Sequence, residues 1–324
     1  MGSDIDLTAA RRAVSKFAIR TPLLFEPELS SLAGAPIYLK LESLQITGSF
    51  KIRGAASRIM ALTEEQQQRG VVTCSSGNHG KAVAHVAGIC GIPAIICVPK
   101  WVDPAKRSAI ETAGAHVFAD KATYDEAEAA AWEIQRQEGM TFIHPFDDPY
   151  VIAGQGTLAL EIQEELPDVT EILCPLSGGG LAGGIAYALK MVTPASTVTA
   201  VSAYRASVML ESLNAGKPID LQEEQTVASA LSGGIGLDNR YTFRLVKELI
   251  SHHLRVPEKA ISQAMNYALT RLHLVVEGGG AVALAAALTG LWIPKNKEEP
   301  TVIVLSGGNL DPAHLCEILA QANK

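Results

Sequence analysis

No stretch of this sequence approaches the roughly 18 consecutive apolar residues of a membrane-spanning helix. The opening MGSDIDLTAARRAV also lacks the apolar core of a secretory signal. The expectation is a cytoplasmic protein with no membrane partner. Basic residues are in deficit, 27 Lys and Arg against 34 Asp and Glu, for a formal net charge of −7. The dense charge runs (EEQQQR, QEEQ, KNKEE) are short and mixed or acidic, so no nucleic-acid partner is expected. Cysteine is scarce and odd in number: five residues, at 74, 90, 97, 174 and 316, form no CxxC pair. Buried free thiols in a reducing compartment are the expected state.

What is abundant is apolar content, 48% of 324 residues. A single core rarely grows past roughly 250–300 residues, so two lobes are expected. The chain has a rhythm of short apolar run, glycine or polar turn, then alanine-rich helix. GVVTCSS precedes NHGKAVAHVAGIC, PAIICVP precedes PAKRSAIETAG, and AHVFAD precedes TYDEAEAAAWEIQRQE. Next come TFIHPF, EILCPLS, TVTAVSA and TVIVLSGG, the last leading into a helical DPAHLCEILAQANK. Apolar runs without strict alternation belong to strands buried on both faces, which predicts an α/β fold with mainly parallel strands.

Ligands of such sheets bind at the carboxyl ends of the strands. Three serine-led glycine loops fall there: residues 75–80 (SSGNHG), 177–184 (SGGGLAGG) and 306–309 (SGGN). The second contains G-x-G-x-x-G at Gly178, Gly180 and Gly183, the pattern of a dinucleotide site. That site needs an acidic residue about 20 positions on to hold a ribose, and residues 185–210 contain no Asp or Glu. A Walker-type loop fails too, because no Lys-Ser/Thr follows the glycines. A single phosphate, held by backbone N–H groups at a helix N-terminus, satisfies the physics that remains. The alternative is close helix–strand packing.

One lysine stands out beside these loops. Lys51, in TGSFKIRGA (residues 47–55), opens a helical run that Ser49 is expected to cap. The helix dipole and burial both disfavour its charged form, as an amine nucleophile requires. Taken alone, its default reading is a solvent-facing lysine that happens to start a helix.

TGSFKIRGA, SSGNHG, HPFDDPYVIAGQGT, SGGGLAGG and SGGN occur in the order found in fold-type II pyridoxal-phosphate enzymes, and from about Thr21 onward the chain resembles their serine/threonine dehydratase and serine racemase branch. The resemblance implies two open, twisted, mostly parallel sheets flanked by helices, with the cofactor between the lobes. It places residues 1–69 and 148–324 in a large cofactor-binding domain and 70–147 in a small, mobile, inserted one. It implies that Lys51 forms the Schiff base with pyridoxal 5'-phosphate and that Phe50 packs beside the ring. Asn78 is implied to meet the 3-hydroxyl, Ser177, Gly178, Gly179, Gly180 and Leu181 to hold the phosphate, and Ser306 to face the ring nitrogen. Ser75, Ser76, Gly77, Asn78 and His79 are implied to grip the substrate carboxylate. A serine opposite the ring nitrogen leaves it neutral and favours β-elimination. The expected reaction is therefore that of an ammonia-lyase on a β-hydroxy amino acid, yielding a 2-oxo acid and ammonia.

Further residues refine this expectation. Ser76 stands where racemase relatives carry a second-face base, so an amino-acid racemase of the same fold is the alternative. Racemase-like members hold a cation through a glutamate where this chain has Ser202, so no metal is expected. SALSGGIGLDNRYTF (229–243) and HLVVEGGGAV (273–282) look most like dehydratases of hydroxyectoine-utilisation clusters. Asp238, Asn239 and Arg240 are candidates to reach a substrate side chain or to form a charged loop. Glu277 is expected near the cofactor's edge. His79 is read as a positioning residue. A homodimer is expected, with no regulatory domain after the final helix.

Overall fold

The computed structural model describes residues 4–311 and 315–316. The helix expected over the last residues of the chain lies almost wholly outside them. Ten strands are described: β1 Leu23–Phe25, β2 Ile37–Lys40, β3 Val71–Cys74, β4 Ala94–Pro99, β5 His116–Lys121, β6 Thr141–Phe142, β7 Glu171–Pro175, β8 Thr197–Ala203, β9 His252–Val256 and β10 Thr301–Val304. They form two sheets, one of six strands in the order β1-β2-β10-β7-β8-β9 and one of four in the order β5-β4-β3-β6. All pairings are parallel except β1 with β2.

The chain divides into two compact units. One is built from residues up to Ile19 together with Lys51–Gly154, and the other from Arg20–Phe50 and from Gln155 onward. The sequence reading set the junctions at 69/70 and 147/148. In the structure the helix Lys51–Met60 groups with the four-stranded sheet.

The four-stranded unit shows why its strands read as unbroken apolar runs. Successive residues of a strand face opposite sides of the sheet, and both sides are covered. Val71, Ile96 and Val98 pack with Ile52, Ala55 and Ile59 from the helix Lys51–Met60 and with Ala82, Val83 and Val86 from the helix Asn78–Cys90. Val72, Cys74 and Cys97 face the other way, against Ala127 and Ala131 of the helix Tyr124–Glu138. Burial pushes the Cys74 and Cys97 thiols up to about 12, so neither is a thiolate at neutral pH. Cys174 is also buried, Cys90 is half-buried and Cys316 is exposed, so the expectation of buried thiols holds for three of the five.

In the six-stranded unit the core centres on the helix Gly278–Leu288, whose residues 278–287 are all buried. A helix apolar on every side belongs inside a core. It packs with Leu39, Leu173, Val201 and Ile303 of the sheet and with Ile261, Ala264 and Met265 of the helix Glu258–Thr270. β7 and β10 are neighbours, so the loops that leave their carboxyl ends, 177–181 and 306–309, emerge side by side.

Candidate active site

The turn that precedes Lys51 is fastened to the loop after β10. Ser49 forms a β-bridge with Gly307, and the Phe50 N–H donates to the Ser306 carbonyl at 3.1 Å. The Gly308 N–H donates to the Gly48 carbonyl at 2.9 Å, and Asn309 Nδ2 donates to the Thr47 carbonyl at 2.8 Å. Gly48 has φ of +77°, and a Cβ there would lie 2.4 Å from Asn309 Oδ1, so only glycine closes this turn. The backbone reaching Phe50 is thereby tied to the segment that carries Ser306, and Lys51 is the next residue.

The expected cap on the lysine helix is not made. Ser49 is drawn into its bridge with Gly307, and its buried hydroxyl has no hydrogen-bond partner among the described residues. Thr47 Oγ1 and Ser43 Oγ are buried and unpartnered in the same way. Unmade hydrogen bonds in a buried place cost about 1–3 kcal/mol each, so three hydroxyls around one turn suit a polar ligand. A Cβ on Gly307 would lie 2.2 Å from Glu277 Oε1 and 3.2 Å from the Ser49 Cβ. Glu277 is therefore at this turn.

Beside this turn is the 177–181 loop. Gly179, with φ of +85°, is the N-cap of the helix Gly180–Val192, which has no side-chain cap. A Cβ on Gly179 would lie 2.9–3.1 Å from Met209, Thr242 and Val246. The left-handed turn and the packing beneath it both demand glycine. The Ser177 hydroxyl donates to the Leu231 carbonyl at 2.8 Å, which anchors the loop's first residue. An uncapped helix N-terminus with glycine backbone presents its N–H groups to an anion.

In the other unit, Lys51 is half-buried at the first position of its helix, and its Nζ donates to the Pro145 carbonyl at 2.8 Å. The segment supplying that carbonyl is held at Ile143, whose carbonyl meets Thr73 Oγ1 at 2.8 Å and His79 Nε2 at 2.9 Å. A carbonyl only accepts, so the proton of neutral His79 is on Nε2. Burial, helped by the nearby Lys51 charge, holds the His79 imidazole down to about 3. It is thus neutral at physiological pH.

The sign of the resulting pH dependence follows directly. The folded histidine stays neutral while the unfolded one gains a proton below 6.5, so stability is complete above 6.5 and falls toward 3. Urea unfolding is expected to show about 2 kcal/mol lost between pH 7.5 and pH 5.0 through this one group. The loss should be absent in His79→Gln, whose amide still donates to Ile143.

The remaining residues of the loop expected to meet the substrate carboxylate follow β3. Ser75 is buried, Ser76 and Asn78 half-buried and Gly77 exposed, and the helix Asn78–Cys90 starts with Gly77 as an N-cap that makes no side-chain bond. Ser202 donates to the Leu176 carbonyl at 2.8 Å within the sheet. Asn239 donates to Ile235 and Thr242 and accepts from the Phe243 N–H, which closes its own loop rather than leaving its side chain to reach out.

Residues 14–307 match the family described as pyridoxal-phosphate dependent enzyme. The chain belongs to that family. Its cofactor is pyridoxal phosphate, and the donors described in the six-stranded unit fit it: an uncapped glycine-lined helix end suited to a phosphate and unpartnered hydroxyls suited to a polar ring edge. Among its relatives, the L-threonine ammonia-lyase of Thermotoga maritima is 41% identical over 306 residues, covering 94% of this chain and 75% of that protein. The maize serine racemase structure matches with a TM-score of 0.90 at 34% identity, covering 98% of both chains. The processed form of threonine deaminase isoform 2 from Solanum lycopersicum matches with a TM-score of 0.91 at 34% identity, covering 98% of this chain and 87% of that one. The fold is thus the expected fold-type II architecture, and the chain is an enzyme of the ammonia-lyase and dehydratase kind.

Sequence reading missed Tyr124, whose hydroxyl donates to the Cys74 carbonyl at 3.2 Å. Nothing in TYDEAEAAAWEIQRQE marked it except its place just after a capping box at Thr123.

Proposed function

We propose that this enzyme removes the β-hydroxyl and then the amine of a β-hydroxy amino acid, with L-threonine the first candidate and L-serine the second. What supports the reading is that the Phe50 N–H, one residue before the lysine, donates to the main-chain carbonyl of residue 306, a position whose side chain is a neutral serine rather than a carboxylate. Pyridoxal phosphate supplies the electron sink for the electrons of the broken Cα–H bond. Lys51 would hold the cofactor through its amine, and its Nζ, when free, would take the Cα proton. Ser177 and the backbone of Gly178, Gly179, Gly180 and Leu181 hold the phosphate. Asn78 meets the ring hydroxyl, Phe50 packs beside the ring, and Ser306 meets its nitrogen. The N–H groups and hydroxyls of residues 75–79 hold the substrate carboxylate. The hydroxyl leaves as water, and the aminoacrylate released hydrolyses to a 2-oxo acid and ammonia. We read the protein further as a cytoplasmic homodimer.

The test is ammonia and 2-oxo-acid release from L-threonine, L-serine, 3-hydroxyaspartate and hydroxylated diamino acids of ectoine breakdown. Release of 2-oxobutanoate from L-threonine is the expected result. A second reading, racemisation, is favoured by one observation: the half-buried Ser76 hydroxyl makes no hydrogen bond among the described residues and so is free to act as a base on the second face. Recovered substrate of inverted configuration with no oxo acid would establish that reading and overturn the first.

A further inference from the structure

The helix Lys51–Met60 carries Lys51 at its first position and Arg58 two turns further on, at the spacing that puts both on one face. Both side chains reach the same short stretch of main chain, residues 143–148. Helix and stretch belong to one compact unit.

That stretch is fixed at both ends and bent in the middle. At its start the Ile143 N–H donates to the Val72 carbonyl at 2.9 Å, and the Ile143 carbonyl takes Thr73 and His79. At its end Asp148 divides its carboxylate. Oδ1 accepts from the Tyr150 and Val151 N–H groups at 2.8 and 3.1 Å, which caps the helix Pro149–Glu165. Oδ2 accepts from Arg58 Nε at 3.0 Å. The Arg58 and Asp148 side chains are only 14% and 15% exposed, so the pair is screened far less than a surface pair. The Arg58 guanidinium also lies 5.1 Å from the centroid of the Tyr150 ring. Between the two ends, His144 Nδ1 accepts from the Phe146 and Asp147 N–H groups at 3.2 and 2.7 Å, which folds a tight turn. Pro145 lies within that turn, and its carbonyl receives Lys51 Nζ at 2.8 Å.

A neutral amine donates through its N–H bonds and reacts through its one lone pair. A carbonyl that holds one N–H therefore also sets where the lone pair can point. The flexible four-carbon stem of lysine supplies no such fixing by itself. We propose that Arg58 is a positioning residue for the Lys51 amine: by gripping Asp148 it holds the 144–148 turn where the Pro145 carbonyl receives Nζ. The inference rests on the reading of Lys51, given under the proposed function, as the amine that holds the cofactor.

The experiment compares the wild type with Arg58→Met, Asp148→Asn, the double variant and Arg58→Lys. Asp148→Asn keeps an amide oxygen for the helix cap and loses the charge that Arg58 meets. Covalent capture of pyridoxal phosphate by apoprotein is timed from the visible band. Alongside it, a Kd is measured for pyridoxamine phosphate, which has no aldehyde and makes no bond to a lysine. The loaded enzymes then give kcat and KM with L-threonine. Arg58→Met and Asp148→Asn are each expected to slow capture and to lower kcat about tenfold, with KM and the Kd for pyridoxamine phosphate within about twofold. The double variant should be no worse than either single one, because both cut the same link. Arg58→Lys, which keeps the charge, should recover part of the loss. Should Arg58→Met not fold, Asp148→Asn and Arg58→Lys carry the same comparison.

Unchanged capture and kcat in these variants would overturn the proposal. So would additive losses in the double variant, or a loss of pyridoxamine phosphate binding as large as the loss of capture, since the pair would then serve the fold at large. A wild type that captures pyridoxal phosphate and converts no amino acid refutes the proposed reaction alone, and the capture rates still decide the role of Arg58. A wild type that captures none refutes both.

Discussion

Lys51→Ala is expected to lower kcat/KM for the preferred β-hydroxy amino acid by about 10⁴-fold or more, the scale seen when a nucleophile that also acts as base is removed. The variant should also lose the visible colour of covalently held cofactor. The fold should survive. Lys51 occupies a first-turn position and donates to the Pro145 carbonyl, while the helix is anchored by its apolar face of Ile52, Ala55, Ala56 and Ile59. Unchanged circular dichroism with activity gone is the predicted pair of results. A variant that keeps its colour and falls less than about tenfold in kcat/KM would show Lys51 to be an ordinary helix-opening lysine.

The second large effect is expected at the phosphate loop. Ser177→Asp places a carboxylate at the uncapped start of the helix Gly180–Val192. Two unit charges about 4 Å apart repel by roughly 4 kcal/mol at an effective dielectric near 20. Cofactor retention should therefore weaken by about 10³-fold, measured as the Kd for pyridoxal phosphate added back to apoprotein. Ser177→Ala removes one hydroxyl, the one that donates to Leu231, and should cost about tenfold at most. A carboxylate at a helix N-terminus is itself favourable, so the apoprotein should not lose stability. Equal cofactor affinity in the two variants would show that the phosphate is not held there.

These residues were legible to different degrees, for physical reasons. β3, β4, β7, β8 and β10 announced themselves as unbroken apolar runs because each is covered on both faces, Val71 and Val72 serving two different cores. β9, with the polar run HHLRV, lies at the edge of its sheet and carries little apolar signal. β1 and β2 are three and four residues long, too short for a pattern. The glycine loops were legible because close backbone approach leaves its mark in composition, as at Gly179. Ser49 was misread as a cap because its true partner, Gly307, lies more than 250 residues further along the chain. Tyr124 was invisible for the same reason. Its partner is a main-chain carbonyl 50 residues away, and no side-chain pattern records a carbonyl left over where a short strand stops.

The central claim is that Lys51 holds pyridoxal phosphate covalently. Reduction of the purified, cofactor-loaded protein with borohydride, followed by digestion and peptide mass spectrometry, tests it most directly. The predicted result is a phosphopyridoxyl group on the peptide containing Lys51 and on no other lysine. The modification on a different lysine, or on none while the protein remains active, would contradict it.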